Sequence, residues 1–491
     1  MSIRFVRTFA VPLALLAPFV GCVINPVTGE RELALVSGEQ EVALGQDQYS
    51  PSQQMQGGDY TLDPMLTAYV AAVGQKLAAV SDRGLPYEFV VLDNSVPNAW
   101  ALPGGKIAVN RGLLTELQSE AELAAVLGHE IVHAAARHGA LAMQRGLLLQ
   151  GALLATAIAT ERDGNYSGLA VGAASVGAQL ITHRNSRGNE LEADHYGMLY
   201  MSRAGYDPRA AVSLQETFVR LAQARGADSG RLAALFASHP PSEERVAKNR
   251  ETAATLPAGG DVGRERYQAA TATLRQRQPA YNAYDDGRTA FGEKRLADAD
   301  RLAEEAVRLL PGEAQFHALL GDIDLERRDY AGAVNHYRDA IGRNDRFFYY
   351  HLQKGTAHRA LRQWDPARTE LEQSVELLPT AEAYFGLGAI AEQRGDRAGA
   401  LEHYARAAQA ESPTGQAAQD ATVRLDLPAN PGKYLAVRGG LDGNGQLVVE
   451  LGNPTRMPVS DVSVVVRYAD AQGAIRQLNR QPWWSLERRR G

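Results

Sequence analysis

His129-Glu130-Ile131-Val132-His133 sets two histidines four residues apart with a glutamate beside the first. On a helix that advances about 100° per residue the two imidazoles lie about 40° apart on one face. Both can therefore reach one metal ion. Glu130, about 100° from His129 and about 60° from His133, flanks that ion and can act on a water there. The chain holds 11 histidines among 491 residues, so a chance match to the pattern is expected in roughly 0.01 of such proteins. The flanks are helical as well: Ala121, Leu123, Ala124, Val126 and Leu127 lead in, Ala134 to Ala136 lead out, and Gly139 supplies a stop. The segment reads as a zinc site on a helix.

Catalytic zinc sites take three protein ligands and leave the fourth position to water. A metzincin would continue His-x-x-Gly-x-x-His, but Ala136 and Gly139 stand where that glycine and last histidine belong. The third ligand must come from elsewhere, and Ser186-Arg187-Gly188-Asn189-Glu190-Leu191-Glu192-Ala193-Asp194 offers a glutamate on a second helix. Glu190 and Asp194 share a face one turn apart, whereas Glu192 lies about 200° round from Glu190. Only one of the two glutamates can face the metal. Glu190 is the candidate ligand, because it brings Asp194 with it as a hydrogen-bond partner for a ligand histidine.

With Asn98-Ala99-Trp100-Ala101-Leu102-Pro103-Gly104-Gly105 upstream and Ser238-His239-Pro240 downstream, these motifs resemble, in order, those of the peptidase family of HtpX and the CAAX prenyl proteases. The resemblance covers roughly residues 28 to 250. It implies a gluzincin-type zinc metalloprotease domain, mostly helical with a small sheet over the two ligand helices. It also implies strands at Phe89 to Leu92 and Lys106 to Asn110 near the zinc, one offering an edge to an extended peptide. The alternation of those segments and the Pro-Gly-Gly between them support a hairpin with a long loop. Carried over from the family, His239 stands close to the zinc, either stabilising the oxyanion or filling the fourth position in a latent state, and Arg245 matches the following arginine. His138, about 180° from His129 on an unbroken helix, His183, His195, His317, His336, His351, His358 and His403 are assigned no role.

Arg4 and Arg7 precede an uncharged run from Thr8 to Cys22, too short to span a bilayer and shaped like a secretory signal. Its end, Phe19-Val20-Gly21-Cys22, resembles a bacterial lipoprotein cleavage box. Cys22 is the only cysteine, so it forms no internal disulfide and is read as a lipidation site. Residues 1-21 are then a signal peptide and 22-50 a lipid-anchored linker. A mature Cys22-Val23-Ile24 lacks the aspartate that retains such proteins at the inner membrane, which favours the periplasmic face of the outer membrane. Asn25-Pro26-Val27-Thr28-Gly29 resembles the opening of lipoprotein members of the family.

The length and 45% hydrophobic content suit two or three domains. A net charge of -6 argues against nucleic acid as a partner. Past the protease domain, assigned to 51-250, and a linker helix at 251-279, a period emerges. Gly287, Gly321, Gly355 and Gly388 are spaced by 34, 34 and 33 residues. Ala299, Ala333, Ala367 and Ala400 follow at a matching offset, then Ala306, Ala340, Ser374 and Ala407. Tyr337 and Tyr404 take the large inter-helix position, with Ala303 and Leu371 as weaker versions. This is the tetratricopeptide (TPR) pattern, four repeats over 280-413, and its concave face is expected to bind segments of partner proteins. Residues 414-491 turn Val-rich and alternating, as in Leu447-Val448-Val449-Glu450-Leu451, and are read as a short β segment. The whole is a multidomain α+β chain: metalloprotease domain, all-α solenoid, β-rich end.

Residues 146 to 160 and 164 to 181 carry no formal charge and are expected to form a buried or lid-forming helical hairpin, with contact to the membrane surface as the alternative. The family resemblance implies a lipid-anchored, Zn2+-dependent endopeptidase of the bacterial cell envelope, of the TPR-bearing periplasmic branch, acting on misassembled outer-membrane proteins. A TPR chaperone or scaffold with secondary proteolysis is the competing reading. Small-peptide hydrolysis would leave the repeats without a role.

Overall fold

The computed structural model describes residues 21–144, 185–223, 233–441, 443–444, 447–460, 462–469 and 474–480. The signal segment, the uncharged stretch expected to form a hairpin at 146–181, and the last eleven residues lie outside them. The chain divides into two compact units, Met1–Leu320 and Gly321–Gly491.

The first unit opens with an antiparallel hairpin, β1 (Gly21–Ile24) and β2 (Arg31–Ala34). Helix α1 (Gly38–Met55) starts at a capping box in which Ser37 and Gln40 satisfy each other's backbone N–H. Helix α2 (Pro64–Ala78) is capped by Asp63. A three-stranded sheet follows: β3 (Glu88–Leu92), β4 (Ala99–Leu102) and β5 (Lys106–Asn110), in the order β3-β5-β4. Here the structure corrects the sequence reading. β3 and β5 run parallel, Glu88 opposite Lys106, and the tight turn at Pro103–Gly105 joins β4 to β5 instead. Gly104 and Gly105 take left-handed φ of 80° and 85° in that turn. All five residues of β5 are buried, as expected of a central strand covered on both faces.

Helices α3 (Arg111–Glu116), α4 (Glu120–Ala135), α5 (Arg187–Arg203), α6 (Arg209–Gln223), α7 (Ala233–Ser238) and α8 (Glu243–Thr255) build the rest of this core. α4 packs on α2, α5, α6 and the sheet. Its approach to α5 needs two glycines: a Cβ on Gly128 would stand 3.1 Å from the Gly197 carbonyl oxygen, and one on Gly197 3.0 Å from the His129 nitrogen. α4 ends sooner than its composition suggests. Arg137 takes a φ of 65°, and its guanidinium is drawn into a buried ion pair with Glu41 while donating to the Val36 carbonyl.

The linker expected at 251-279 is not a separate helix. Helix α9 (Arg264–Gly292) continues through it into the first repeat with Pro279 inside, and its first half docks on the core, where Tyr267 Oη donates to the Leu114 carbonyl at 2.6 Å. α10 (Leu296–Leu309) packs along it. Helix α11 (Ala314–Arg327) crosses the boundary between the units.

The second unit continues with α12 (Tyr330–Ile341), α13 (Phe348–Ala360), α14 (Trp364–Leu377), α15 (Ala381–Gln393) and α16 (Arg397–Ala407). The glycine period is a packing period. A Cβ on Gly321, Gly355 or Gly388 would meet Tyr337, Leu371 or Tyr404 at 2.7 to 2.8 Å, so each glycine admits the large residue sixteen positions later. The turn inside each pair repeats too, with left-handed φ at Lys294, Arg328, Arg362 and Gly395. Past the fourth pair the chain first forms another helix, α17 (Pro413–Asp426), which packs on α16. The β segment therefore begins later than 414. It consists of two antiparallel hairpins, β6 (Ala436–Leu441) with β7 (Leu447–Gly452), and β8 (Val464–Ala469) with β9 (Ile475–Arg480).

Candidate metal centre

Ser119 caps α4, Ser186 caps α5 and Ser242 caps α8, each accepting from a backbone N–H of the first turn. These caps set where each helix starts, and so which side chains its inner face presents. His129, Glu130 and His133 point from α4 toward Glu190 on α5, and His239, just after α7, closes over them. All are buried or nearly so.

His129 Nε2 lies 3.0 Å from His133 Nε2 and 3.5 Å from Glu190 Oε2, while His133 Nε2 lies 3.3 Å from Glu190 Oε1. A tetrahedron with arms of 2.0–2.1 Å has edges of about 3.3–3.4 Å. Three lone-pair donors at that spacing fit a divalent metal of zinc's size. His239 Nδ1 stands 3.2 Å from His129 Nε2 and 3.1 Å from Glu190 Oε1, the distances of a fourth vertex. Its Nε2 faces Glu130 Oε1 at 3.6 Å.

A second layer orients the donors. His129 Nδ1 meets Asp194 Oδ1 at 3.0 Å, leaving Nε2 for the metal. Asp194 accepts two bonds of 2.7 Å from Arg245, whose Nη1 also lies 2.9 Å from Glu190 Oε2. Burial alone would push the Asp194 carboxyl up, but the Arg245 charge outweighs it and holds the group down at about 2. Glu190 is likewise held well below the carboxylate range, burial being outweighed by His239 and His129. Burial lowers both candidate ligand histidines. In His129 the charges of Glu190 and Asp194 reverse this, raising it to about 10, whereas His133 stays well below its ordinary value.

The residues singled out from the sequence for metal chemistry, His129, Glu130, His133, Glu190, Asp194, His239 and Arg245, thus meet in one place. Cys22 is elsewhere in the chain, its backbone paired with Leu33 in the first hairpin. His138, set about 180° from His129 on an unbroken helix and assigned no role, is also close by. With the helix broken at Arg137, its Nδ1 turns back to His133 Nδ1 at 2.8 Å and its Nε2 reaches Glu192 Oε1 at 3.2 Å. Glu192 lies outside the cluster of His129, His133, Glu190 and His239 and meets His138 instead.

A mainly helical core with a small sheet, bearing His-Glu-x-x-His and a glutamate from a second helix, defines a metallopeptidase class. Residues 64–253 match the model of peptidase family M48. Metalloprotease YcaL of Escherichia coli is 30% identical over 188 residues, 37% of this chain and 70% of that protein. The β-barrel assembly-enhancing protease of the same organism is 28% identical over 332 residues, 59% of this chain and 67% of that one. A Vibrio cholerae relative is 34% identical over 208 residues, 40% of each, so the chain spans less than half of that relative's length. The chain belongs to peptidase family M48.

Proposed function

We propose that the chain is a zinc-dependent endopeptidase of the bacterial cell envelope. It would be lipid-anchored through Cys22 at the periplasmic face of the outer membrane, and its substrates would be misfolded or unassembled outer-membrane proteins. The observation that carries the catalytic part is the triangle of His129, His133 and Glu190 at tetrahedral-edge distances with Glu130 beside it. His129, His133 and Glu190 would hold the ion. A bound zinc ion supplies Lewis acidity, polarising the scissile carbonyl and acidifying water. Glu130 takes the proton of the attacking water and passes it to the leaving amine. The substrate backbone lies along β4, an edge strand of the sheet that packs against α4. The name of the Escherichia coli relative supports a place in β-barrel assembly, and the four helix pairs offer a surface for partner segments.

His239 favours a latent form of this enzyme over an always-open one. With Nδ1 at a fourth-vertex distance from two donors, it fills the position that water needs. Substrate held by the repeats would favour the open state only by binding it more tightly than the closed one. A chaperone or scaffold with secondary proteolysis is the resting state of the same molecule on this reading.

The test is Glu130→Gln in the full chain. Zinc content should stay at one per chain while casein cleavage falls by about 10²–10⁴-fold. Full cleavage by the variant would sink the mechanism.

A further inference from the structure

The sequence reads residues 22-50 as a linker, but the chain is already folded at Gly21, where β1 begins. The β1–β2 hairpin is tied to the C-terminal end of α4. Asn25 Nδ2 donates to the Ala136 carbonyl at 3.5 Å, the Leu35 N–H to Gln144 Oε1 at 2.7 Å, and Gln144 Nε2 to the Leu33 carbonyl at 2.9 Å. Within the hairpin Cys22 pairs with Leu33, Val23 with Glu32 and Ile24 with Arg31. The positions of Cys22, Ile24, Arg31 and Leu33 therefore share one face, and those of Val23, Glu32 and Ala34 the other.

An antiparallel hairpin with one side on a core normally turns polar side chains outward to water. Here the inner face holds buried Ala34 and Glu32, which accepts from Asn25 Nδ2 at 2.9 Å, with Val23 38% exposed beside them. The outer face carries Ile24 and Leu33 at 61% and 47% exposure, and Leu35, just past β2, is 39% exposed. Three such side chains on one hairpin are not the single scattered exposures of an ordinary surface. Sequence and register say what covers them. The uncharged run from Thr8 leads directly into β1, and Cys22, the proposed acylation site, lies across from Leu33. Residues paired across an antiparallel ladder stand about 5 Å apart, so a lipid on Cys22 brings Leu33 to the bilayer with no intervening linker.

We infer that the outer face of this hairpin is a membrane-docking surface. Ile24, Leu33 and Leu35 enter the boundary between headgroups and acyl chains of a phospholipid bilayer, and exposed Arg31, opposite Ile24, meets lipid phosphates. The inference rests on the lipid-anchored reading and deepens it by adding a protein surface to the anchor. A chain held by an acylated terminus on a flexible linker would leave its site free to turn. Here the hydrogen bonds of Asn25 and Gln144 carry the membrane contact to the end of the helix that bears His129 and His133, so the peptidase core is seated against the bilayer in one orientation.

Cys22 is the only cysteine, so in the acylated full chain one added cysteine takes an environment-sensitive fluorophore at a single place. Leu33→Cys and Leu35→Cys are compared with Asp298→Cys on α10, each reconstituted into phosphatidylethanolamine–phosphatidylglycerol vesicles. Probes at 33 and 35 should shift to the blue and lose most of their emission to vesicles carrying nitroxide-labelled lipid, and the probe at 298 should do neither. Emission at 33 and 35 as aqueous and as unquenched as at 298 would overturn the docking surface. So would a blue shift already present in the vesicle-free Cys22→Ser chain and unchanged by vesicles, since the face would then be covered by the chain itself or, in a particle that scatters light as a dimer, by a second copy. Palmitate incorporation reads the anchor separately. An acylated chain with aqueous probes removes the surface alone. If no palmitate enters, the Cys22→Ser chain with the same probes is mixed with the vesicles: probes that enter lipid keep the surface and remove the anchor, and probes that stay aqueous remove both.

Discussion

The two candidate ligand histidines on α4 are oriented by unlike partners. His129 is tied to a carboxylate that Arg245 keeps charged, and that arrangement was legible because Glu190 and Asp194 sit one turn apart. His133 is tied to a second imidazole, His138, which leans on Glu192. No spacing rule reveals this, because it depends on Arg137 breaking the helix with a left-handed backbone and no glycine there to announce it. His138→Ala should weaken zinc binding by about 10–100-fold, the usual consequence of losing a group that orients a ligand. Chelator competition on purified protein measures it, and an unchanged affinity would make His138 a packing residue only. At the fourth vertex, His239→Ala should raise casein cleavage if the histidine closes the site and lower it if it stabilises the oxyanion. A rate and zinc affinity equal to wild type would remove both roles.

Between elements, the decisive contact is the crossing of α4 and α5. Gly197→Ala places a methyl 3.0 Å from the His129 nitrogen, so the helices must part and the Glu190 carboxylate shifts from the histidines. A cost of about 1–3 kcal/mol is expected for such overpacking, with a matching loss of zinc affinity. Gly188→Ala, where an added Cβ meets nothing nearer than Ser186 Oγ at 3.8 Å, should do neither; chemical denaturation and zinc titration of the pair give the comparison.

A second junction joins the core to the first repeat. Asp93 after β3 accepts from Arg111 Nε at 2.6 Å, the guanidinium of Arg111 lies 3.4 Å over the Tyr281 ring, and Tyr281 Oη donates to Glu313 Oε2 at 2.8 Å. Burial and the nearby Asp93 charge raise the Glu313 carboxyl from 4.5 to about 8, against the opposing pull of Arg111. A folded-state value raised above the unfolded one contributes stability that is complete below pH 4.5 and is lost as pH rises through about 8. Relative to Glu313→Gln, the wild type should therefore lose Tm across that window. Parallel melting curves for both proteins would argue against a buried, protonated Glu313.

At the scale of the whole molecule, the proposed anchor and repeats would decide where the site works and what reaches it. Metabolic labelling tests the anchor: palmitate should enter the wild type and not Cys22→Ser. A native N-terminus found free and downstream of Cys22 would remove it. Among the described residues no helix is long and apolar enough to cross a membrane. The repeats were legible at a distance because three of the four units repeat one contact, a glycine under a large side chain sixteen residues on, and a repeated contact leaves a repeated residue.

What the sequence determined alone is whatever depends on helix geometry within one segment or on recurrence between segments. It set His129, Glu130 and His133 on one face, paired Glu190 with Asp194, and spaced the helix pairs. What tertiary structure decided is whatever depends on partners distant in the chain. Alternation in β3 and β5 sets which side chains face the core, but not the neighbour or its direction, and both proved parallel with β4 inserted at the edge. The linker merged into α9 because its buried residues found the peptidase core. His138 turned back to His133 because Glu41, 96 residues away, pulls Arg137 out of the helix. Gln215 and Asn249 look like ordinary surface amides in the sequence, and only the packing of α6 and α8 buries them.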